Sequence, residues 1–327
     1  MSRKLITIST IMTLMSTSVI ADVPNVAADI APIHSLVSRV MDGVGAPKLI
    51  VQSGASPHGY RLRPSEAKAL QDADHVFWMG EELTPWLDSA IGTLASKASV
   101  TTLLDQQGVI LHDFREGALF EAHDHSAHGD DDHDDHDDHD DHKDHDDHDD
   151  HDDHDDHGSH DPHAWLSPEN AKLWLNIIAS KLSVSDPENA ATYFMNAAAG
   201  QAEIEAMIAE VKATLKPVQG GKFVVFHDAY QYFENDFDFY ASGAISLGDS
   251  SDPSPARIEK VQKRIRDEGI QCVLAEPQFK KGLVATVMEG SDATASVIDP
   301  LGTELETGPK LYTQLIKNMA KTLRNCL

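Results

Sequence analysis

Residues 131–157 read DDHDDHDDHDDHKDHDDHDDHDDHDDH. A histidine stands at every third position, with carboxylates between. A period of three matches neither the 3.6-residue repeat of a helix nor the two-residue repeat of a strand. It matches polyproline II, on which the histidines would share one face. With no apolar residue to bury and aspartates repelling one another, the segment has no means of forming a core. The wider tract, 123–160, is 38 residues long and holds 13 of the 19 histidines. Residues 123–161 contain 20 Asp and one Lys, so 19 of the 28 net negative charges lie there. The rest of the chain is only mildly acidic, and its charge points to no class of partner. Folded structure must come from the stretches on either side.

Imidazole and carboxylate together bind borderline divalent metals such as zinc, nickel and copper. A polymer of them offers many weak, interchangeable sites. Imidazole must be neutral to bind, so such a tract releases metal as pH falls. The tract is read as an auxiliary metal collector or sensor. The alternative is a solvated low-complexity loop with incidental affinity.

The amino terminus, MSRKLITISTIMTLMSTSVIA, has a basic start at Arg3 and Lys4, an apolar stretch and a V-x-A ending at Ala21. That pattern predicts an export signal over 1–21, removed after Ala21. The apolar run is short and rich in Ser and Thr for a membrane anchor. Two cysteines remain, Cys272 and Cys326. In an oxidising compartment they are expected to pair, and a closed loop of that length is worth about 4 kcal/mol in the chain-entropy model. Buried free thiols are the alternative.

Elsewhere, β-branched and aromatic runs alternate with helical patterns. Residues 48–54, 75–80, 99–104, 222–227, 238–246, 271–277 and 294–300 read as strands, and 64–73 and 254–269 as helices between them. The alternation predicts an α/β fold of two lobes, each a mostly parallel sheet flanked by helices. The lobes are assigned to 22–185 and 217–327. Between them, 186–216 reads as one long, rigid connecting helix. Asp186 or Ser185 would cap it, Pro187 opens its first turn, and Pro217 and Gly220 end it. Two helices broken at Gly200 are the alternative.

Four residues stand at chemically suggestive places. His58 follows the strand at 48–53, His163 precedes a helix capped at Ser167, and His227 and Asp299 close strands. Ligands of open α/β sheets bind outside the carboxyl ends of strands. Imidazole nitrogens plus one carboxylate make a tetrahedral zinc set. Glu276 also ends a strand, as a cleft-facing, supporting or solvated carboxylate. His34, His75 and His112 have no such setting and read as surface or internally satisfied histidines.

The motifs GASPHGYRLRPSEAKALQDAD, HAWLSPENA, FHDAYQYFE, AEPQFKKG and DPLGTELETG, in that order, resemble the ZnuA family of periplasmic zinc-binding components of bacterial ABC importers. The likeness spans nearly the whole chain after residue 21. It includes a His/Asp-rich insertion before the second ligand motif. It implies two lobes joined by a long helix, with the metal in the cleft, a periplasmic location, and zinc as transported ligand rather than cofactor. It implies ligands at His58, His163 and His227 and a disulfide between Cys272 and Cys326. Some relatives carry a ligating Glu just before the first histidine, where this chain has Pro57. The fourth ligand is therefore Asp299, a water or a tract histidine. The implied partners are an inner-membrane permease, its ATPase and a periplasmic zinc chaperone. A monomer with no nucleic-acid partner is expected.

Three histidines with an open position also suit a zinc hydrolase. That reading needs a general base and a substrate pocket, and the sequence offers no HExxH. A nickel or manganese binder is a further alternative. A storage or adhesion protein that uses the tract alone would leave the ordered lobes without a purpose.

Overall fold

The computed structural model describes residues 23–115, 120, 160–246, 253–278 and 281–327. The export-signal segment 1–21 and tract residues 123–159 lie outside them. Two four-stranded sheets organise the chain. Strands β1 (Val26–Ala28), β2 (Lys48–Leu49), β3 (His75–Trp78) and β4 (Ser99–Thr102) lie in the order β2-β1-β3-β4. Strands β5 (Phe223–His227), β6 (Ala244–Ser246), β7 (Cys272–Ala275) and β8 (Thr294–Val297) lie in the order β6-β5-β7-β8. Every pairing between these eight strands is parallel. Helices α1 (Ala31–Val40), α2 (Pro64–Gln71), α3 (Pro85–Leu94) and α4 (Pro168–Ser185) accompany the first sheet. Helices α6 (Gln231–Phe237), α7 (Pro255–Glu268), α8 (Lys281–Met288) and α9 (Leu311–Cys326) accompany the second, and α5 (Ala190–Leu215) joins the two. This is the two-lobed α/β architecture that the alternation of patterns predicts.

The strands are shorter than the apolar runs that announced them. β1 had no sequence signal at all. It is three residues long, two of them alanine, yet it is a central strand, paired with both β2 and β3. Alanine has little intrinsic strand preference. What selects the strand is complete burial between two neighbours.

The connector begins three residues later than its pattern suggested, at Ala190, and runs for 26 residues, about 39 Å at 1.5 Å per residue. Asp186 does not cap it. Its Oδ2 accepts hydrogen bonds from Asn189 Nδ2 and the Tyr193 hydroxyl, which holds 187–189 as a turn after α4. Gly200 does not break it. A Cβ there would lie 2.9 Å from Leu175 Cδ1 and 3.1 Å from Arg39 Cγ, so glycine lets α4 and α1 pack directly onto the helix. The connector touches α1, α4 and α9, and so belongs to both lobes. Arg39 of α1 donates to Glu203 through Nε and Nη2, at 3.1 and 3.0 Å. Lys317 of α9 pairs with Glu210 at 3.1 Å. A helix packed on both sides along its length resists hinge bending, because no residue in it is free to absorb a large φ/ψ change.

Cys272 of β7 and Cys326 of α9 are joined by a disulfide across 54 residues of sequence. It fastens the terminal helix to the second sheet. Thiol titration of the denatured, unreduced chain is expected to find no free thiol. Replacing both cysteines by alanine should lower stability by about 2–5 kcal/mol in urea unfolding. Among the described residues no helix is long and apolar enough to cross a membrane.

Candidate metal centre

The register of the second sheet sets up half of the site. Phe223 stands beside Cys272, Val224 beside Val273 and Val225 beside Leu274. Continued for two residues, the same parallel register places His227 next to Glu276 at the carboxyl edge. Both are buried, and His227 Nδ1 lies 2.6 Å from Glu276 Oε1. A second pair is built in the chain segment that leaves the tract. Asp161 Oδ1 accepts the His163 backbone N–H at 2.9 Å and lies 2.6 Å from His163 Nδ1. Pro162 keeps the intervening turn tight. The position of this segment is fixed from outside. The Trp165 indole donates to Pro300 O at 2.8 Å, and Tyr312 donates to Trp165 O at 2.9 Å.

A carboxylate that accepts from Nδ1 leaves the Nε2 of the same ring as the atom able to ligate a metal. The two Nε2 atoms face one another at 3.3 Å. His58 arrives from the loop between β2 and α2, its ring centroid 5.4 Å from that of His163. One ligand nitrogen from each of His58, His163 and His227 lies within 4.8 Å of the others. A tetrahedron with zinc–nitrogen bonds of ~2.0–2.1 Å has edges of about 3.3–3.4 Å. The His163–His227 separation matches that edge. A cation seated between the two nitrogens would take a bond from each.

Among the described residues this histidine group is the one cluster of potential ligands, and Asp299 is not in it. Asp299 Oδ1 accepts the N–H groups of Leu301 and Gly302, at 3.0 and 2.9 Å, and Oδ2 accepts that of Thr303 at 2.5 Å. Both oxygens hold the loop after β8, and Asp299 does not line the cavity beside the histidines. Pro57 stands just before His58, and its carbonyl accepts from the Trp86 indole at 2.7 Å. His34 Nε2 bonds Pro47 O and His75 Nε2 bonds Ser185 Oγ, both away from the site. His112 Nε2 lies 3.3 Å from Asn235 Nδ2.

A family model for ZnuA, "Zinc-uptake complex component A periplasmic", matches residues 26–326. The chain belongs to the ZnuA family. The high-affinity zinc uptake system protein ZnuA of Brucella abortus is 49% identical over 304 residues, covering 92% of this chain and 91% of that one. The protein of the same name from Paracoccus denitrificans is 45% identical over 308 residues, covering 94% and 93%. A crystal structure of a ZnuA aligns with a TM-score of 0.71 at 19% identity, covering 93% of this chain and 99% of the other. That likeness speaks for the fold. ZnuA proteins are solute-binding components of zinc uptake, not enzymes, and the family is periplasmic.

Sequence reasoning missed several polar residues around the centre. Arg115, four residues beyond the exposed Leu111, crosses to the second lobe and pairs with Asp228 and Glu234. The Asp113–His160 hydrogen bond, 2.8 Å, and the Asp161 N–H to His112 O bond, 2.8 Å, tie together the two sides of the tract's base. Nothing in the local sequence of Arg115 signals its partners, which lie 113 and 119 residues away. Asp161 had a signal, a carboxylate two residues before a candidate ligand with proline between.

The Nδ1–carboxylate pairs orient the rings. Glu276→Gln keeps the shape and removes the charge. It is expected to weaken zinc binding by roughly 10–100-fold, read by competition with a zinc-chelating dye. Unchanged affinity would remove Glu276 from the site's support.

Proposed function

We propose that this protein captures one zinc ion between His58, His163 and His227 in the periplasm and delivers it to the permease and ATPase of an ABC importer. The observation that carries this is the pair of Nε2 atoms facing each other at 3.3 Å, each Nδ1 held by a buried carboxylate on the far side. Three neutral imidazoles favour zinc over manganese, which prefers oxygen ligands. Because the ligands come from separate ordered segments, little freedom is lost when the ion arrives.

In this reading residues 1–21 are the export signal. Residues 22–185 and 217–327 are the lobes that carry the two halves of the site, and 186–216 holds them at fixed separation. The tract, 123–160, is an auxiliary collector. Its imidazoles raise the local concentration of zinc, and His160, its last residue, three residues before His163, is held by Asp113. A periplasmic zinc chaperone would meet the tract before the site. Asp299 serves as the clasp of the loop after β8.

The test is metal analysis of the purified full chain, with intact mass under non-denaturing conditions, before and after a weak chelator. One zinc per chain should survive the chelator while additional ions are stripped. A chain that loses all its zinc together, or retains another metal in preference, would overturn the assignment.

A further inference from the structure

Three imidazoles leave the fourth position of a tetrahedral ion open, and Asp299 neither belongs to the histidine group nor lines the cavity beside it. The cavity beside the histidines is about 20 Å3 and is lined by Glu276 and Gln278 as well. A space of that size takes a single water or ion, for which roughly 10–15 Å3 is the minimum. The rest of its wall includes Pro57, Trp165 and Leu301, and supplies no further charge. Glu276 Oε1 is engaged by His227. Gln278 Oε1 is buried and has no hydrogen-bond partner among the described residues. A buried acceptor without a donor costs about 1–3 kcal/mol, so the loaded site is where this oxygen should find its donor.

We propose that Gln278 selects the fourth ligand of the bound metal, its side-chain oxygen accepting a hydrogen bond from a coordinated water and so disfavouring anions at that position. This rests on the reading that His58, His163 and His227 hold the ion. Water on a dication is a strong donor, and an amide oxygen is a good neutral acceptor for it. Chloride, azide or thiocyanate has no proton to offer. In that position such an anion would place its lone pairs against those of Gln278 Oε1, in a wall that already carries the Glu276 carboxylate. The loaded site would then keep a neutral, exchangeable ligand in a compartment open to external salts. A receiving protein could take that position without displacing an anion.

Gln278 acts through the water, so it is a positioning residue. The test needs a readout that a purely structural role would leave alone. The full chain is loaded with one equivalent of Co2+, whose visible absorption reports its ligands, and titrated with azide. Gln278→Leu should bind azide about tenfold more tightly than the unaltered chain, the size of one hydrogen bond. Gln278→Glu keeps the acceptor, adds charge, and should bind azide more weakly than the unaltered chain. All three chains should hold one tight cobalt, which keeps the histidine site itself in view. Failure of the unaltered chain to hold it would instead overturn the three-histidine reading. Equal azide affinities in the unaltered chain and Gln278→Leu would overturn the inference and leave the histidine site intact. Weaker azide binding by Gln278→Leu would mean that the amide presents its NH2 to the metal, and would also overturn it. Loss of tight cobalt by Gln278→Leu alone would make Gln278 a direct ligand, again against the proposal.

Discussion

Replacing His58 and His227 together by alanine is expected to abolish tight zinc binding, while deleting 123–159 leaves it in place. Protein zinc sites have apparent binding free energies of about 10–16 kcal/mol at neutral pH. Spread over three or four ligands, each contributes roughly 3–4 kcal/mol, so losing two should weaken the site about ten-thousand-fold or more. His163 would remain with its Asp161 partner, but a single imidazole with an open coordination sphere is no better than one from the tract. The double variant should therefore retain several weak zinc ions and lose the tight one. The deletion should do the opposite. It spares His160, which bonds Asp113 at 2.8 Å, so the base of the tract stays closed. Titration calorimetry on the two variants separates the contributions. A tight site that disappears with the tract and survives the double substitution would place the principal site in the tract.

The parts of this molecule that could be read from sequence are those whose signal is local. His58, His163 and His227 each stand in a motif that places them at a strand end or before a helix cap, and zinc chemistry gives three such histidines a common purpose. The alternation of strand and helix patterns gave the lobes, because parallel sheets require crossover helices. The unread parts depend on relations between distant segments. Glu276 looked like any carboxylate at a strand end until the β5–β7 register set it beside His227. β1 was invisible because Val26–Ala28 owes its conformation to neighbours 20 to 50 residues away. The start of the connector was misplaced by three residues because Asp186, a good helix cap by composition, bonds Asn189 and Tyr193 side chains instead. Asp299 has the chemistry of a ligand, but three following N–H groups take both its oxygens. Composition does not show those bonds to the loop after β8.

Arg115→Met is expected to destabilise the apo protein by about 3 kcal/mol at pH 8 and by much less at pH 5. Arg115 donates through Nε to both oxygens of Asp228, at 3.0 and 3.1 Å, and through Nη1 to Glu234 at 2.5 Å. Phe120 covers the guanidinium, 3.7 Å from its ring centroid. Both acids are buried. Burial pushes the Glu234 carboxyl from 4.5 up to about 7, and the Arg115 guanidinium opposes the rise. Asp228 is raised for the same reason and opposed by the same partner. A carboxyl whose pKa is higher folded than unfolded holds protons more tightly in the folded chain. Stability therefore falls as pH rises from the unfolded value of 4.5 through the folded value of about 7. Removing Arg115 takes away the opposing charge, moves both folded values further up and extends the loss to higher pH. At pH 5 the acids can remain protonated inside the variant, and little is lost beyond packing. At pH 8 the folded variant must either bury two uncompensated charges or hold two protons against the solvent. Adding Asp228→Asn and Glu234→Gln should restore most of the stability at pH 8 by removing the charges that Arg115 neutralised. Urea unfolding in the presence of a chelator, at both pH values, measures each step. An equal loss at pH 5 and pH 8 would show that Arg115 contributes through packing on Phe120, with no net contribution from its charge.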